Sequence, residues 1–296
     1  MTMRKHILAA VLVFLSATSL KMSAQNALPF SRIDRNPRTS AMAGAGMASV
    51  AGTGYAAFGN AAALGFQNGM ADVTAGVQLW EMSNEADKAT HLQAGAGFRF
   101  GNFGVAVGGA YQMGQLQGTF TPNDLLLSMG LAYNIADVVS VGVNGRYASQ
   151  SLTREAKVNG FSADITVMGR FSPQFTVAAG VGNIGPKVKG STDSYAQPSY
   201  ARAGVAWTPA DAFALMLDGE YNFDGTLAAA LGAEYNYHHI VYARAGYRIA
   251  SEKALIPSHL GAGVGLHLGG FRVEASYLTA SPVLGNTVTL GVAYSL

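Results

Sequence analysis

Charged side chains are the residues of this chain best placed to do chemistry, and they recur on alternate positions within apolar stretches. Neighbouring stretches carry opposite signs, as where Glu234 is followed by Arg244 and Arg248. Mixed signs favour a network of ion pairs, whereas a path for a charged ligand would concentrate a single sign. We therefore expect an internal ladder of salt bridges, with a charged ligand path as the alternative. The residues expected to face inward are Arg99, Arg146, Asp164, Arg170, Asp218, Glu220, Glu234, Arg244, Arg248, Arg272 and Glu274, with Arg272 and Glu274 paired on one strand.

Catalytic and metal-binding chemistry finds little support in the sequence. The chain has no cysteine, which excludes disulfides, thiolate nucleophiles and cysteine-ligated zinc. His238 and His239 are adjacent, so their side chains point apart, and His91, His259 and His267 are isolated in sequence. No cluster of carboxylates accompanies them. We expect no metal site, no cofactor and no enzymatic activity.

Alternating polarity indicates the elements that carry the charged residues. Near the C-terminus, Val288, Leu290 and Val292 are apolar, and the residues between them are small or polar. Because successive side chains of a strand point to opposite faces, this pattern predicts a strand with one apolar and one polar face. The same pattern predicts fourteen strands, at about 69–80, 90–100, 102–113, 124–134, 138–150, 158–171, 174–184, 199–208, 211–223, 226–237, 240–250, 259–269, 270–280 and 286–296.

The composition and the connections of these strands indicate a closed barrel in a membrane. Charged residues make up 12% of the chain, against about 25% in soluble domains. Most predicted strands have 10–13 residues, close to the roughly 9–11 of a tilted strand that crosses a bilayer. Short connections alternate with longer ones, as in outer-membrane barrels, and a bilayer excludes open sheet edges. We predict an all-β fold, a 14-stranded antiparallel transmembrane β-barrel over residues 69–296, rather than a soluble β-sandwich or propeller.

The first 24 residues have the layout of a secretory signal peptide. Arg4 and Lys5 precede an apolar stretch at residues 7–20, and Met22-Ser23-Ala24 then offers a cleavage site before Gln25. Much of the positive formal charge of the chain belongs to this leader, so its basicity gives no reason to expect nucleic-acid binding. We expect residues 1–24 to be removed and the mature chain to reach the outer membrane of a Gram-negative cell. An interfacial N-terminal helix is the alternative.

Residues 25–68 differ from the rest of the chain because they are rich in glycine and alanine and lack strand periodicity. After Arg38 they hold no charge, and the next charged residue is Asp72. Disordered segments combine low hydrophobicity with high charge, so this moderately apolar segment is expected to be ordered. Its small residues allow close packing, and we predict that it forms an N-terminal plug inside the barrel. A periplasmic tail is the alternative.

Two short elements in this segment resemble a known family of outer-membrane proteins. Arg38 followed by Ser40-Ala41-Met42-Ala43-Gly44-Ala45 resembles the "R…AMGGA" element of the PorV/PorQ family. Asn60-Ala61-Ala62-Ala63-Leu64 resembles the "NPAxL" element that this family shares with the FadL-type fatty-acid channels. Ala43 stands in place of the first glycine, and Ala61 stands in place of the proline. The residues that carry the resemblance are Arg38, Met42, Gly44, Asn60 and Leu64.

The resemblance implies a plugged fourteen-stranded barrel with one of two functions. PorV and PorQ are outer-membrane components of the type IX secretion system, which handles proteins that bear a C-terminal signal domain. This similarity implies a non-enzymatic protein whose partners are secretion-system proteins and such cargo, with the loop Gly185–Pro198 and its Lys187, Lys189 and Tyr195 as the first candidate for binding. FadL-type members instead move hydrophobic small molecules such as long-chain fatty acids, which would require an apolar cavity between plug and wall and an opening through a side gap. A purely structural barrel is a third alternative.

Overall fold

A computed structural model describes residues 27–81, 88–115, 123–151, 157–190, 193–279 and 286–296. The strands in these ranges are Ala71–Glu81 (β1), Lys88–Phe100 (β2), Phe103–Gln115 (β3), Asn123–Ile135 (β4), Val139–Ser151 (β5), Lys157–Ser172 (β6), Phe175–Ile184 (β7), Val188–Lys189 (β8), Ser194–Tyr195 (β9), Tyr200–Ala210 (β10), Phe213–Asn222 (β11), Leu227–Tyr237 (β12), Val241–Ala250 (β13), His259–Leu268 (β14), Phe271–Thr279 (β15) and Thr287–Ser295 (β16). Before β1 lie a short helix at Pro37–Ala41 (α1) and 3₁₀ turns at Pro29–Arg32, Thr53–Phe58 and Ala61–Phe66. The predicted signal peptide at residues 1–24 lies outside the described residues.

Fourteen of the strands close into a single antiparallel barrel. Closure occurs at β1, where Val73 pairs with Ala96 of β2 on one side and with Tyr294 of β16 on the other. The predicted fourteen-stranded antiparallel barrel is therefore confirmed. Strands β8 and β9 form a separate hairpin within the predicted loop Gly185–Pro198. With two residues each, they are too short to produce a periodic pattern in the sequence.

The outer face of the barrel is apolar, and the inner face carries small and polar side chains. In β4, Leu127, Met129 and Leu131 are exposed on the outside, whereas Ser128 and Gly130 point inward and are buried. Large apolar side chains that surround a protein are unfavourable in water and favourable against lipid tails. The exterior is thus that of a transmembrane barrel. Of the helices in the described part of the chain, none is long and apolar enough to cross a bilayer.

The two ends of the barrel differ in the length of their connections. At one end, which we name the turn end, tight turns join the strands, as at residues 101–102 and 238–240. His238 and His239 both adopt left-handed φ angles, 52° and 57°, which suits a tight hairpin. At the other end, which we name the loop end, the connections are longer, as at residues 185–199 and 251–258. This asymmetry is the one expected from the sequence.

The N-terminal segment, described here as residues 27–70, runs through the barrel interior from the loop end to the turn end. Its first backbone N–H, on Ala27, donates to the carbonyl of Ala196 in the long loop at 2.8 Å. At the turn end, the N–H of Met70 donates to the carbonyl of Leu296 at 2.7 Å. Between these points α1 packs on β13 to β16, and the second and third 3₁₀ turns pack on β1 to β6. The segment therefore contacts the inner wall on opposite sides.

Candidate ligand cavity and its ion pairs

A cavity of about 250 Å³ lies between the N-terminal segment and the wall and reaches the loop end of the barrel. Its mouth is apolar and includes Trp80, Ile256 and Leu278. Its floor lies deep in the barrel, where Met47 and Asn60 of the N-terminal segment close it. Because benzene fits an apolar cavity of about 150 Å³, this volume is sufficient for an aromatic ring or a short length of alkyl chain.

Two arginines of the N-terminal segment line this cavity, and each has one buried nitrogen without a hydrogen-bond partner among the described residues. Arg35 is 2% exposed and donates to the carbonyls of Ile33 and Phe30 at 2.8 and 2.9 Å, while its Nε is unpaired. Arg32 donates to Glu220 Oε1 at 2.8 Å and stacks 3.6 Å from the ring centre of Tyr200, while its Nη1 is unpaired. The two guanidinium groups place positive charge beside the cavity, which favours a ligand with an acidic group.

The carboxyl group of Asp34 also lines the cavity, between these two arginines in sequence. Desolvation inside the barrel raises the pKa of Asp34, against the opposing hydrogen bonds from the Thr39 hydroxyl and the backbone N–H of Asn36. The neutral form of the carboxyl group is therefore favoured over a wider pH range than in water. The cavity lining accordingly becomes more negative as the pH rises through this pKa.

A first ion-pair group ties the N-terminal segment to β12, β13 and β15. Arg38 of α1 makes two hydrogen bonds to Glu234, from Nε at 2.8 Å and from Nη2 at 2.9 Å. Glu234 also accepts from Arg244 Nε at 2.5 Å, and Arg244 Nη2 lies 2.9 Å from Glu274. His267 completes the group at 3.4 Å from Glu274. Each charged group in this buried series of ion pairs has a partner. Buried charges are tolerated under that condition.

A second group holds the glycine-rich turn that follows α1. Asp218 Oδ2 accepts from the backbone N–H groups of Gly46 and Met47 at 2.8 and 3.0 Å, and from Arg202 Nη2 at 2.5 Å. Arg202 also donates to the carbonyl of Gly44. The turn is thus fixed to β10 and β11 through its own backbone.

Above this turn, towards the loop end, Glu220 joins β11 to β13 and to the N-terminal segment. Its Oε1 accepts from Arg248 at 2.7 Å and from Arg32 at 2.8 Å. Strand β12 lies between Glu220 and Arg248, so the pair spans three strands.

A third group lies where β6 and β7 lose their regular register. Arg146 is paired with Asp164 and donates to Asn183 Oδ1 at 2.7 Å and to the carbonyl of Phe58 at 2.8 Å. Asp164 Oδ1 accepts from the backbone N–H of Asn183 at 2.8 Å. Asn183 has a φ of 53°, and the register of β6 with β7 shifts beside it. At this bulge in the ladder, the carboxylate of the ion pair therefore takes the place of a backbone acceptor.

The remaining sequence-predicted charges lie near the turn end. Arg99 donates to the carbonyls of Gln67 and Gly101 at 3.1 and 2.9 Å. Arg170 stacks 4.7 Å from the ring centre of Phe66. These contacts hold the end of the N-terminal segment, although neither arginine pairs with an inward-facing acid in the described chain.

The predicted pairing of Arg272 with Glu274 is wrong. Arg272 Nη2 lies 2.5 Å from Asp72 on β1, and Nη1 lies 2.6 Å from the Ser295 hydroxyl. Glu274 instead pairs with Arg244. Side chains two residues apart on a strand stand side by side about 7 Å apart along it, whereas the long arginine side chains here reach over one intervening strand, β16 for Arg272 and β14 for Arg244. Ion pairs between different strands therefore form in place of an ion pair along one strand.

Several charged residues of the site were not foreseen. Arg202 and Asp72 occupy inward positions of β10 and β1, and the same alternation could have identified them. Arg32, Asp34 and Arg35 lie in a segment without periodicity, so no pattern in the sequence indicates that they face a cavity. Their placement depends on the path of the N-terminal segment through the barrel.

Solved structures share the shape of this chain, although no protein-family model and no curated protein matches its sequence. The toluene transporter TbuX of Ralstonia pickettii superposes with a TM-score of 0.67 at 15% identity, covering 88% of this chain and 97% of that one. The toluene transporter TodX of Pseudomonas putida gives a TM-score of 0.65 at 11% identity, covering 93% and 98%. A FadL homologue of Pseudomonas aeruginosa gives 0.60 at 10% identity, covering 88% and 98%.

This chain has the FadL-type barrel fold. The resemblance inferred from the sequence is thus confirmed at the level of fold, and membership of the PorV/PorQ family is not shown by these comparisons. A shared fold does not fix the ligand, because one fold hosts many functions. The cavity of this chain is therefore the basis for assigning its function.

The residues that carry the motif resemblance hold the N-terminal segment in its path. Met42 is fully buried against Gly232 and Gly246, and Leu64 is fully buried beside Gly104. Gly44 has a φ of 88°, which favours glycine.

Asn60 caps the third 3₁₀ turn: its Oδ1 accepts from the N–H of Ala62 at 2.9 Å, and its Nδ2 donates to the carbonyl of Met47 at 2.8 Å. The N–H of Ala61 donates to Asn144 Oδ1 at 3.2 Å, a bond that the family's proline at this position could not make. Alanine in place of the family's proline therefore provides a backbone N–H that bonds the segment to the wall.

The loop Gly185–Pro198 folds inward over the mouth of the barrel. Val188 is buried, and Gln197 Nε2 donates to the carbonyls of Phe161 and Pro186 at 2.7 and 3.0 Å. Lys187 and Lys189 are exposed, and Tyr195 is half-buried. The loop is therefore anchored to β6 and to the start of the N-terminal segment, while its two lysines face the surroundings.

Proposed function

We propose that this protein is an outer-membrane channel for hydrophobic compounds, in which residues 25–68 act as the plug and residues 69–296 form the barrel. The observation that carries the proposal is the cavity between the N-terminal segment and the wall, which reaches the loop end through an apolar mouth. The FadL-type fold supports this function, because the solved structures with this fold include toluene transporters. The turn end would face the periplasm, following the usual orientation of such barrels.

The lining of the cavity favours an amphipathic ligand over a purely apolar one. Trp80, Ile256 and Leu278 at the mouth suit an alkyl chain, and the positively charged side chains of Arg32 and Arg35 suit an acidic head group. Arginine pairs with carboxylates through charge-assisted hydrogen bonds, which are stronger than those between neutral groups. A long-chain fatty acid has both features and is our leading candidate.

Tryptophan fluorescence offers a direct test of binding. The sequence contains two tryptophans; Trp80 lines the cavity, and Trp207 is exposed on the outer face. A Trp207→Phe variant therefore reports on the cavity alone. We expect palmitate to change the Trp80 emission in a saturable way. A signal that rises linearly with palmitate, as detergent-like partitioning would give, would count against a binding site.

A role in type IX secretion stays a prediction of the motif resemblance. The residues that carry the resemblance anchor the N-terminal segment, and a channel and a secretion component would both need that anchor. The two functions separate in a deletion strain. Loss of secretion leaves proteins with C-terminal signal domains in the periplasm, whereas loss of a channel leaves their distribution unchanged and reduces fatty-acid uptake.

A further inference from the structure

The wall of the barrel limits the routes by which a ligand can leave the cavity. All fourteen neighbouring strand pairs are hydrogen-bonded within the described residues, with register shifts between β6 and β7 and near the turn end of β10. The side gap expected of a FadL-like channel is therefore not seen in this part of the chain. A ligand that leaves the cavity towards the turn end must pass between the N-terminal segment and the wall.

Most of the boundary between segment and wall is sealed by charged or polar contacts. On the side of β12 to β15, Arg38 makes two hydrogen bonds to Glu234, which also accepts from Arg244. On the side of β4 and β5, Asn144 Nδ2 donates to the carbonyls of Ala56 and Ala57 at 3.0 Å, and Asn134 Nδ2 donates to the carbonyl of Gly65 at 2.5 Å. An apolar ligand that separated these groups would leave buried polar atoms unpaired, which is costly.

A different surface lies directly below the cavity floor. There Met42 and Met47 of the N-terminal segment pack with Met168 of β6 and Met216 of β11, and we name these four residues the methionine cluster. Met47 and Ala63 belong both to the cavity lining and to this apolar contact. Below the cluster, the contact continues to Phe66, which lies beside Arg170 near the turn end. The apolar surface thus runs from the cavity floor towards the periplasmic side proposed above.

The distribution of methionine in the chain matches this position. Among the methionines in the described ranges, Met70, Met113 and Met129 are exposed, whereas those inside the barrel are the four of the cluster. Methionine is unbranched, flexible and polarisable, so it adapts to contacts of different shape. A methionine surface can exchange its own contacts for contacts with an alkyl chain at little cost in polar bonding, since the Asn60 amide that donates to Met168 Sδ at 3.9 Å also donates to the carbonyl of Met47 at 2.8 Å.

We propose that the methionine cluster is the gate through which a hydrophobic ligand leaves the cavity towards the periplasm. The inference rests on the proposed channel function and adds the route and the residues that set its rate. In the closed state Asp218 holds the turn at Gly46 and Met47, so the methionines fill the gap. Passage requires that these side chains and the ring of Phe66 below them change rotamer, while the ion pairs around them stay formed.

The test compares variants that widen or fill the gate. Met168→Ala and Met216→Ala remove side chains from the cluster, and we expect each to raise the rate of labelled palmitate uptake several-fold. Ala178→Leu adds bulk beside the cluster from β7 and should lower the rate several-fold. Met129→Ala, on the lipid face, is the matched control and should keep the wild-type rate. Folding of each variant is checked by the heat-dependent mobility of the barrel in gel electrophoresis.

Binding measured in parallel separates the gate from the channel. Palmitate titration of Trp80 in the Trp207→Phe background should give the same affinity in the gate variants as in the parent, because the cluster lies below the site. If the folded Met168→Ala and Met216→Ala variants take up palmitate at the wild-type rate, the gate is overturned while the channel stands. If the wild type neither binds nor takes up palmitate, the proposed function fails and the gate fails with it.

Discussion

Arg38 and Glu234 are 196 residues apart in the sequence and meet in a two-bond ion pair inside the barrel, with N–O distances of 2.8 and 2.9 Å. Asn36 places the arginine by capping α1, since its Oδ1 accepts from the N–H of Arg38 at 3.0 Å. The third nitrogen of the guanidinium group donates to the Ser49 hydroxyl at 2.5 Å. One side chain therefore joins α1, the turn after it and the wall, which explains why an arginine here belongs to the motif.

Replacing Arg38 should loosen the N-terminal segment. In Arg38→Met, Glu234 retains Arg244 but loses two hydrogen bonds, so we expect a loss of stability towards the lower end of the about 3–5 kcal/mol found for broken buried pairs. We also expect larger ion conductance in planar bilayers, because the segment would no longer be held against β12. Lys157→Met removes a charge at an exposed position of β6 and serves as the control. Equal conductance of the two variants would argue against the segment as a plug.

A close approach at Gly142 gives a second test of the same segment. A Cβ atom at this position would collide with the backbone of Ala61 and Ala62, whereas a Cβ at Gly145 on the same strand would meet open space. Gly142→Ala should therefore displace the third 3₁₀ turn and reduce stability by about 1–3 kcal/mol, the usual effect of overpacking. Gly145→Ala should unfold in urea at the wild-type midpoint. A wild-type midpoint for Gly142→Ala as well would show that this packing is not tight.

The charge of Asp34 predicts how ligand binding depends on pH. Burial raises the pKa of this carboxyl group, so it is neutral at low pH and becomes negative as the pH rises through that pKa. Affinity for decyl sulfate, which is charged throughout, should therefore fall as the pH rises, and Asp34→Asn should remove most of the dependence. Titrations of Trp80 fluorescence between pH 4 and pH 8 measure both. Identical pH profiles for the two proteins would exclude Asp34 as the cause.

The two arginines that line the cavity predict selectivity between ligand classes. Arg35→Met should weaken decyl sulfate binding by about tenfold or more, because a hydrogen bond to a charged group contributes about 1.5–3 kcal/mol. Binding of toluene, which accepts no such bond, should change little. Lys157→Met again provides the control for a lost charge. If Arg35→Met weakens both ligands equally, the arginine shapes the cavity rather than recognising a head group.

The sequence predicts the barrel far better than it predicts the site. Strands such as β4 and β12 follow a strict alternation because one face meets lipid and the other meets the interior. The order of apolar and polar residues therefore determines their register. The β8–β9 hairpin has no such constraint, so the sequence pattern did not predict it. The same alternation predicts which charged residues face inward but not their partners, because pairing depends on the order of the strands around the closed barrel. Arg272 illustrates this, since its partner Asp72 comes from the first strand.

The residues that line the cavity could not be predicted, because the cavity arises between two parts of the chain that approach only after folding. Trp80 and Arg35 line it from the wall and from the N-terminal segment, respectively. Neither residue carries a local pattern that distinguishes it from a residue packed in a core. The low charge and moderate hydrophobicity of residues 25–68 predicted that the segment is ordered, and the structure supplies its path.

Uptake of labelled palmitate tests the central claim most directly. The host would be a strain whose own fatty-acid channel has been deleted, complemented either with this protein or with its Arg32→Met/Arg35→Met variant at matched levels in the outer membrane. We predict that the wild-type protein restores saturable uptake and that the double variant restores much less. Uptake by the complemented strain no faster than by the empty deletion strain, with the barrel present and folded, would contradict the account.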